Sequence, residues 1–428
     1  MQFLDSSDKN FKKEFNRLLN RGKVDIDSVS DVVKEIIESV KKDGDEAIKR
    51  DILRFDKWEV KDDLKITKDE MREAYKSLND DLKKALHLAY DRIYRYHQKQ
   101  LPKSWIDFED NGSALGVKVS AVDRAGLYIP GGKASYPSSL LMNAIPAIVA
   151  GVKEIVVCTP TPNKEINELL LAAMYICNIN EAYKVGGATA IGAMAYGSES
   201  IKKVDVISGP GNIFVATAKK LVYGDVNIDM IAGPSEIGVI ADEGANVKYL
   251  SMDLLSQAEH DEMASSILIT NSKKIANEVK EQIQSDLKTL KREKIARESI
   301  ENRAAIIVSK DIDEAIDLMN ELAVEHLELM VKNPFELLPF IKHAGAIFLG
   351  QYTPEAIGDY IAGPNHTLPT GGSAKFYSPL SVEIFLKRSS VISMSKEGIN
   401  DLANACMSLA DSEGLDAHKR SVQIRVDD

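Results

Sequence analysis

Apolar residues recur at helical spacing through the first hundred positions. Val29, Val32, Val33, Ile36, Ile37 and Val40 keep the i, i+3, i+4, i+7 rhythm of a helix with one buried face. Ser28 and Ser30 stand where an N-cap belongs. A second stripe, Leu82, Ala85, Leu86, Ala89, Ile93 and Tyr96, predicts another helix, with His87 and His97 in or beside it as structural or solvent-facing residues. From about residue 113 the rhythm changes. Short apolar runs (GVKVSAV, EIVVC, DVIS, IGVIAD, SILIT, AAIIVS, LELMV and GAIFLG) alternate with helical segments such as NEVKEQIQSDLKTL and DEAIDLMNELAV. Such alternation predicts an α/β fold whose parallel sheets are covered by helices on both faces. It falls into two runs, roughly 126–236 and 237–350, with no clear sequence repeat between them. The last ~50 residues return to helix, broken at Gly414.

At 428 residues and 44% hydrophobic the chain has material for two or three domains. Its formal charge is −11, without a long Lys/Arg block, which disfavours duplex DNA and anionic membranes and leaves a small molecule as the expected partner. Three scattered cysteines, Cys158, Cys177 and Cys406, suit a reducing compartment. The start MQFLDSSDKNFKKEF has no apolar run, and no stretch approaches ~18 uninterrupted apolar residues. The expectation is a cytoplasmic protein with no membrane span.

Three glycine-rich segments, YIPGGKASYPSS (128–139), VGGATAIGAMAYG (185–197) and SGPGNIF (208–214), each join a strand to a helix. Backbone N–H groups at such junctions can hold a phosphate, but none of the three is G-x-G-x-x-G, and tight turns explain them equally well. In LSQAEHDEMA (255–264), Gln257 and His260 are spaced i, i+3 and share one helical face, while Glu259 lies about 100° away. That face offers two metal ligands or simply meets water. GDYIAGPNHTLPTGG (358–372) is an irregular loop carrying Asp359 and His366. Two histidines, a carboxylate and a neutral oxygen would suit zinc. Glu325 and His326 are adjacent where a helix gives way to LELMV. They make a base pair for two proton transfers, or a solvated helix end.

Nine blocks in order make the alternatives collapse: GLYIPGGKASYPSSLLMNAIPA, VGGATAIGAMAYG, GPGNIFVATAKKLVYG, IDMIAGPSEI, LLSQAEHD, NELAVEHLEL, GDYIAGPNHTLPTGG, SPLSVEIFLKRSSV and EGLDAHKRSV. From about residue 25 to 425 the chain resembles the histidinol dehydrogenases. The resemblance implies oxidation of L-histidinol to L-histidine via L-histidinal, with two NAD reduced, as the last step of histidine biosynthesis. It implies one Zn2+ per subunit on Gln257, His260, Asp359 and His418, and Glu325 and His326 as catalytic residues. Substrate contacts would come from Ser235, His366 and Glu413 besides the zinc ligands and His326. NAD contacts would come from Tyr128, Thr189 and Asn212. At 189 the family usually has Gln, so Thr189 departs from the pattern. A homodimer is implied, with the C-terminal tail exchanged between subunits.

The resulting expectation is two incomplete Rossmann-like parallel-sheet domains with helical N-terminal and C-terminal segments. Residues 1–24 would form a helical arm, and 25–125 with 237–375 a larger α/β domain carrying most zinc and catalytic residues. Residues 126–236 would form the NAD-associated domain and 376–428 the helical tail. The alternative within this frame is a related zinc- and NAD-dependent dehydrogenase of another polar alcohol. A zinc hydrolase using Glu325, and a non-enzymatic metal-binding protein, are further from the motifs. No cysteine has a cationic sequence neighbour, so all three read as structural rather than as a thiol nucleophile.

Overall fold

The computed structural model describes residues 1–22, 28–61, 64–131 and 137–427, so positions 132–136 of the first glycine-rich segment lie outside the described residues. The described strands run, in chain order, β1 (Gln2–Asp5), β2 (Trp105–Phe108), β3 (Ala114–Ala121), β4 (Arg124–Tyr128), β5 (Glu154–Cys158), β6 (Glu181–Tyr183), β7 (Val206–Ser208), β8 (Asn227–Ile228), β9 (Glu236–Ala241), β10 (Ser265–Thr270), β11 (Ala305–Val308), β12 (His326–Met330), β13 (Ala346–Leu349) and β14 (Leu386–Ser393). The chain divides into two units, Met1–Gln100 with Asp123–Phe385, and Leu101–Val122 with Leu386–Asp428.

The first unit holds two parallel sheets. One has the order β6-β5-β4-β7-β8 and the other β1-β11-β10-β9-β12-β13. Numbered from the first strand of each run, both read 3-2-1-4-5, the doubly wound order one strand short. The two incomplete Rossmann-like sheets expected from the strand–helix alternation are therefore present. They repeat in topology where the sequence shows no repeat. Their strands are buried on both faces, as in EIGVIA and SSILIT of β9 and β10. A continuous apolar run of this kind is what a doubly covered parallel strand requires.

The helices at 30–43 and 80–98 form as their stripes predict, with Val33, Ile36, Ile37 and Val40 buried in the first, though its N-cap is Val29 and carries no side-chain cap. In the second, Leu82 and Tyr96 stay exposed, and Ala89, Ile93 and His97 are the buried face. Two expectations are corrected. The N-terminal segment is not wholly helical, because β1 adds to the sheet edge beside β11, Gln2 opposite Ala305. GVKVSAV does not enter a parallel sheet. It forms β3, which pairs antiparallel with β2 and, over eight residues, with β14. Its alternating Val117, Lys118, Val119 and Ser120 fit a half-exposed antiparallel strand.

The second unit consists of that sheet, β14-β3-β2, and two helices, Lys396–Ser412 and Asp416–Val426, that pack on each other. The tail is thus a strand followed by helices, not helix alone. It leaves Phe108, Ile392 and Leu409 exposed.

β9 is central in the second sheet, flanked by β10 and β12. Gly238 lets the helix Ile312–Leu322 close on it. A Cβ there would stand 2.6 Å from Met319 Sδ and 2.9 Å from a Val324 methyl. That helix leads into Glu325 and His326, so the close approach helps fix where the pair emerges. Gly238→Ala should cost about 1–3 kcal/mol by overpacking. Urea unfolding should show a lower midpoint at unchanged slope, and an unchanged midpoint would mean the helix is not seated on this glycine.

Candidate active site

Glu325 and His326 sit at the amino end of β12, both buried, 6% and 4% exposed. One neighbouring residue holds both. The Glu236 N–H donates to Glu325 Oε2 at 2.9 Å, and the Glu236 carbonyl lies 3.1 Å from His326 Nδ1. Since a carbonyl only accepts, Nδ1 carries the proton and donates. In the neutral ring Nε2 is then the nitrogen left to accept a proton. It is buried, has no hydrogen-bond partner, and faces Asp359 Oδ1 at 3.6 Å.

His326 also lies 3.7 Å from Glu325 Oε2 and 3.8 Å from Glu355 Oε1. Burial pulls its pKa down, but the carboxylates of Glu355, Glu325 and Asp359 outweigh this and hold it well above the usual value. Burial pushes Glu325 up to about 8 and raises Glu355 and Glu328 as well. Asp359 is held below its usual value, because His326, His366 and His260 outweigh its burial. His260 and His366 are lowered by burial.

Gln257 and His260 are brought to this cluster by the helix Val247–Ala258. The helix ends before His260, but a final turn carries on, with the His260 N–H bonded to Gln257 O at 3.2 Å. Gln257 is fully buried and donates its amide nitrogen to both Glu355 oxygens, at 2.8 and 3.0 Å. The amide oxygen occupies the opposite branch. Ligand atoms of His260, Glu355 and Asp359 all lie within 4.8 Å of one another. An imidazole and two carboxylates, with an amide against one of them, suit a borderline divalent ion.

Asp359 follows Glu355 by four residues on the short helix Glu355–Tyr360. His366 turns its Nδ1 to the Asp359 carbonyl at 2.9 Å and its Nε2 to Ser139 Oγ at 3.4 Å. His326, Asp359 and His366 line one cavity of about 520 Å³ with Phe348, Ala346 and Leu368. His97 is structural as expected. Its Nδ1 meets Ile93 O at 2.8 Å, and its Nε2 meets Asn365 beside His366 at 3.4 Å. His87 is exposed and pairs with Tyr75.

The glycine turns lie at the carboxyl ends of β4 and β7, between which the order of the first sheet reverses, and of β6 at its edge. Tyr128 ends β4, and its hydroxyl accepts from the Gly187 N–H at 3.2 Å. Gly209, at φ +129°, passes so close to the Tyr128 carbonyl that a Cβ would overlap it. A buried pair, Lys219 and Asp229, pins this glycine, accepting its N–H at 2.9 Å and donating to its carbonyl at 3.0 Å. Asn212 caps the helix Ile213–Val222, its Oδ1 accepting from Phe214 and Val215. Thr189 is buried and donates its hydroxyl to Asp51 at 2.6 Å. Ser235 immediately precedes β9. Glu413 and His418 belong to the second unit, both exposed, at the end of one tail helix and within the other. The thiols of Cys158 and Cys177 are buried and pushed up to about 12, and Cys406 is exposed.

Sequence reasoning missed Glu355, Glu328, Ser139 and the backbone of Glu236. Two had a signal. Glu355 stands i, i+4 from Asp359 on one helical face, and Glu328 stands two residues from His326, on the same side of a strand.

The histidinol dehydrogenase family profile matches residues 19–426. The chain belongs to the histidinol dehydrogenase family. It is 63% identical to the histidinol dehydrogenase of Sulfurimonas denitrificans over 428 residues, covering 100% of both chains. It is 61% identical to that of Wolinella succinogenes, covering 99% of this chain and 98% of the relative. The crystal structure of histidinol dehydrogenase from Elizabethkingia anophelis superposes at a TM-score of 0.94 with 35% identity, covering 100% of this chain and 98% of that one. An acetylating aldehyde dehydrogenase from Geobacillus thermoglucosidasius shares the fold, at a TM-score of 0.51 and 15% identity, covering 91% of this chain and 98% of that one. Membership makes the chain an oxidoreductase, a dehydrogenase of histidine biosynthesis. Among the described residues no helix is long and apolar enough to cross a membrane.

Folding raises the Glu325 carboxyl from its ordinary 4.5 to about 8. Over that window the folded chain keeps a proton that the unfolded chain releases, so stability falls as pH rises, by on the order of a few kcal/mol. Glu325→Gln removes this loss. The melting temperature of the metal-free variant should exceed the parent's by a margin that grows from pH 5 to pH 8. Equal slopes for the two proteins would contradict the buried, raised carboxyl.

Proposed function

We propose that this chain oxidises L-histidinol to L-histidine through L-histidinal, reducing two NAD, with one zinc ion at each active site. The observation that carries the reading is the meeting of His260, Asp359 and Glu355, with His326 Nε2 beside Asp359 and the neutral Gln257 amide on Glu355. Gln257, His260 and Asp359 would hold the ion together with His418 of the partner subunit. The bound zinc supplies a Lewis-acidic anchor for the substrate's imidazole and amine, so that binding energy is spent on orientation.

In its neutral form, reached once a bound cation offsets the carboxylates that hold its pKa up, His326 would take the alcohol proton at Nε2, because its Nδ1–H is committed to the Glu236 carbonyl. Bound NAD would supply the hydride acceptor for each of the two oxidations. Glu325 then takes a proton from the water that adds to the aldehyde. Its raised pKa makes it a base matched to mildly alkaline pH. Ser235, His366 and Glu413 of the partner subunit would read the substrate's polar groups.

NAD would lie at the carboxyl ends of the first sheet, near Tyr128 and Asn212, in the domain formed by 126–236. Open α/β sheets bind ligands at such a reversal of strand order. Thr189 spends its hydroxyl on Asp51, so the contact that the usual Gln would make at this position falls to the backbone or to water. The homodimer with exchanged tails is supported by the apolar side chains that the second unit leaves exposed, and the cytoplasm by the unpaired cysteines.

Titration of L-histidinol with excess NAD tests the reading. Two NADH should form per histidinol, with the signal lost to a chelator and restored by zinc. One NADH per substrate would remove the second oxidation, and full activity in chelator would remove the metal.

A further inference from the structure

The Glu236 side chain and Arg21 lie outside the machinery described so far, yet their ion pair leads into it. The Glu236 side chain is 1% exposed. Its Oε2 accepts from Arg21 Nη2 at 2.7 Å and its Oε1 from the Gly371 N–H at 2.8 Å. Its peptide N–H and carbonyl hold Glu325 and His326. The same Arg21 nitrogen reaches the Leu322 carbonyl at 3.0 Å, three residues before Glu325, and Nη1 reaches Leu18 O at 3.0 Å. One ion pair therefore ties the end of the helix Ile312–Leu322, the start of β9 and the end of the loop that carries His366, which follows the short helix, not the expected loop, on which Asp359 sits. The chain behind Arg21 is seated on that loop, since a Cβ at Gly22 would overlap the Gly371 backbone. Arg303 adds a hydrogen bond to the Arg21 carbonyl at 2.7 Å.

We infer that Arg21 and Glu236 are positioning residues for the proton transfers of Glu325 and His326. The inference rests on the reading of those two as the catalytic pair. A buried ion pair adds little net stability over apolar side chains of the same shape, because desolvation offsets the attraction. What this pair offers is geometry. The planar guanidinium donates in two fixed directions, to a carboxylate and to a carbonyl, and so sets the distance between two segments. A lysine supplies the charge without the fork.

The test uses the full-length, zinc-loaded protein. Removing one partner leaves a buried charge alone, so the informative variant is Arg21→Met with Glu236→Gln. Turnover per folded, zinc-loaded site should fall roughly 10- to 100-fold with both histidinol and supplied histidinal. KM for NAD should be unchanged, and the solvent deuterium isotope effect on kcat should rise as proton transfer becomes limiting. A role confined to stability would lower the folded fraction and leave that isotope effect alone. Arg21→Lys, the milder change, should give an intermediate kcat. A folded double variant within twofold of the parent overturns the inference. If the double variant fails to fold, Arg21→Lys at parental kcat overturns it equally. Glu325→Gln and His326→Asn are assayed alongside. Parental activity in those two sinks the catalytic reading itself, whereas their inactivity beside an unaffected Arg21/Glu236 variant sinks only the positioning role.

Discussion

His326 faces three carboxylates from a place closed to bulk water, Glu325 at 3.7 Å, Glu355 at 3.8 Å and Asp359 at 3.6 Å. Burying a carboxylate without compensation is costly, and the protein answers by keeping protons or drawing in positive charge. Glu325, Glu328 and Glu355 are all pushed up by burial, and Asp253, one turn before Gln257, rises to about 6 for the same reason. The histidines and the neutral Gln257 complete a donor set with negative charge in excess. Such a surplus fits a site built to receive a divalent cation. As a carboxylate, Glu355 accepts from the Gln257 nitrogen, and the amide oxygen then takes the other branch.

The two sheets share one strand order and are used at opposite ends. In the first, Tyr128 and Gly209 stand at the carboxyl ends, where a doubly wound sheet ordinarily binds its ligand. In the second, Glu236, His326 and Ala346 stand at the amino ends of β9, β12 and β13. Glu325 and His326 are held there by the peptide groups of Glu236 at the start of β9. Ser139, early in the helix Pro137–Ala150 after β4, reaches His366 and so joins the two ends.

Much of this was legible from the chain. Continuous apolar runs marked the parallel strands, and the spacing of Gln257 and His260 marked one face. The amide's partner was not legible, because Glu355 lies 98 positions from Gln257 and only folding makes them neighbours. The strand Gln2–Asp5 escaped notice because four residues show no period of their own, and they form a strand only by pairing with β11, some 300 positions away. The segment Leu386–Ser393 carries Lys387, Arg388 and three serines, too polar for a buried strand. It forms by pairing antiparallel with β3, its side chains mostly exposed. Arg21 and Glu236 were invisible for a different reason. A lone arginine near a chain end and a glutamate opening a strand are ordinary surface residues until their partners are known.

The donor arrangement is most directly tested by anomalous diffraction at the zinc edge from crystals of the metal-loaded protein with histidinol. The account predicts one peak bonded to the Gln257 amide oxygen, His260 and Asp359, and to His418 of the partner subunit, with Glu355 still accepting from the Gln257 nitrogen. A peak coordinated by Glu355 in place of Gln257, or none at this cluster in catalytically active crystals, would contradict it.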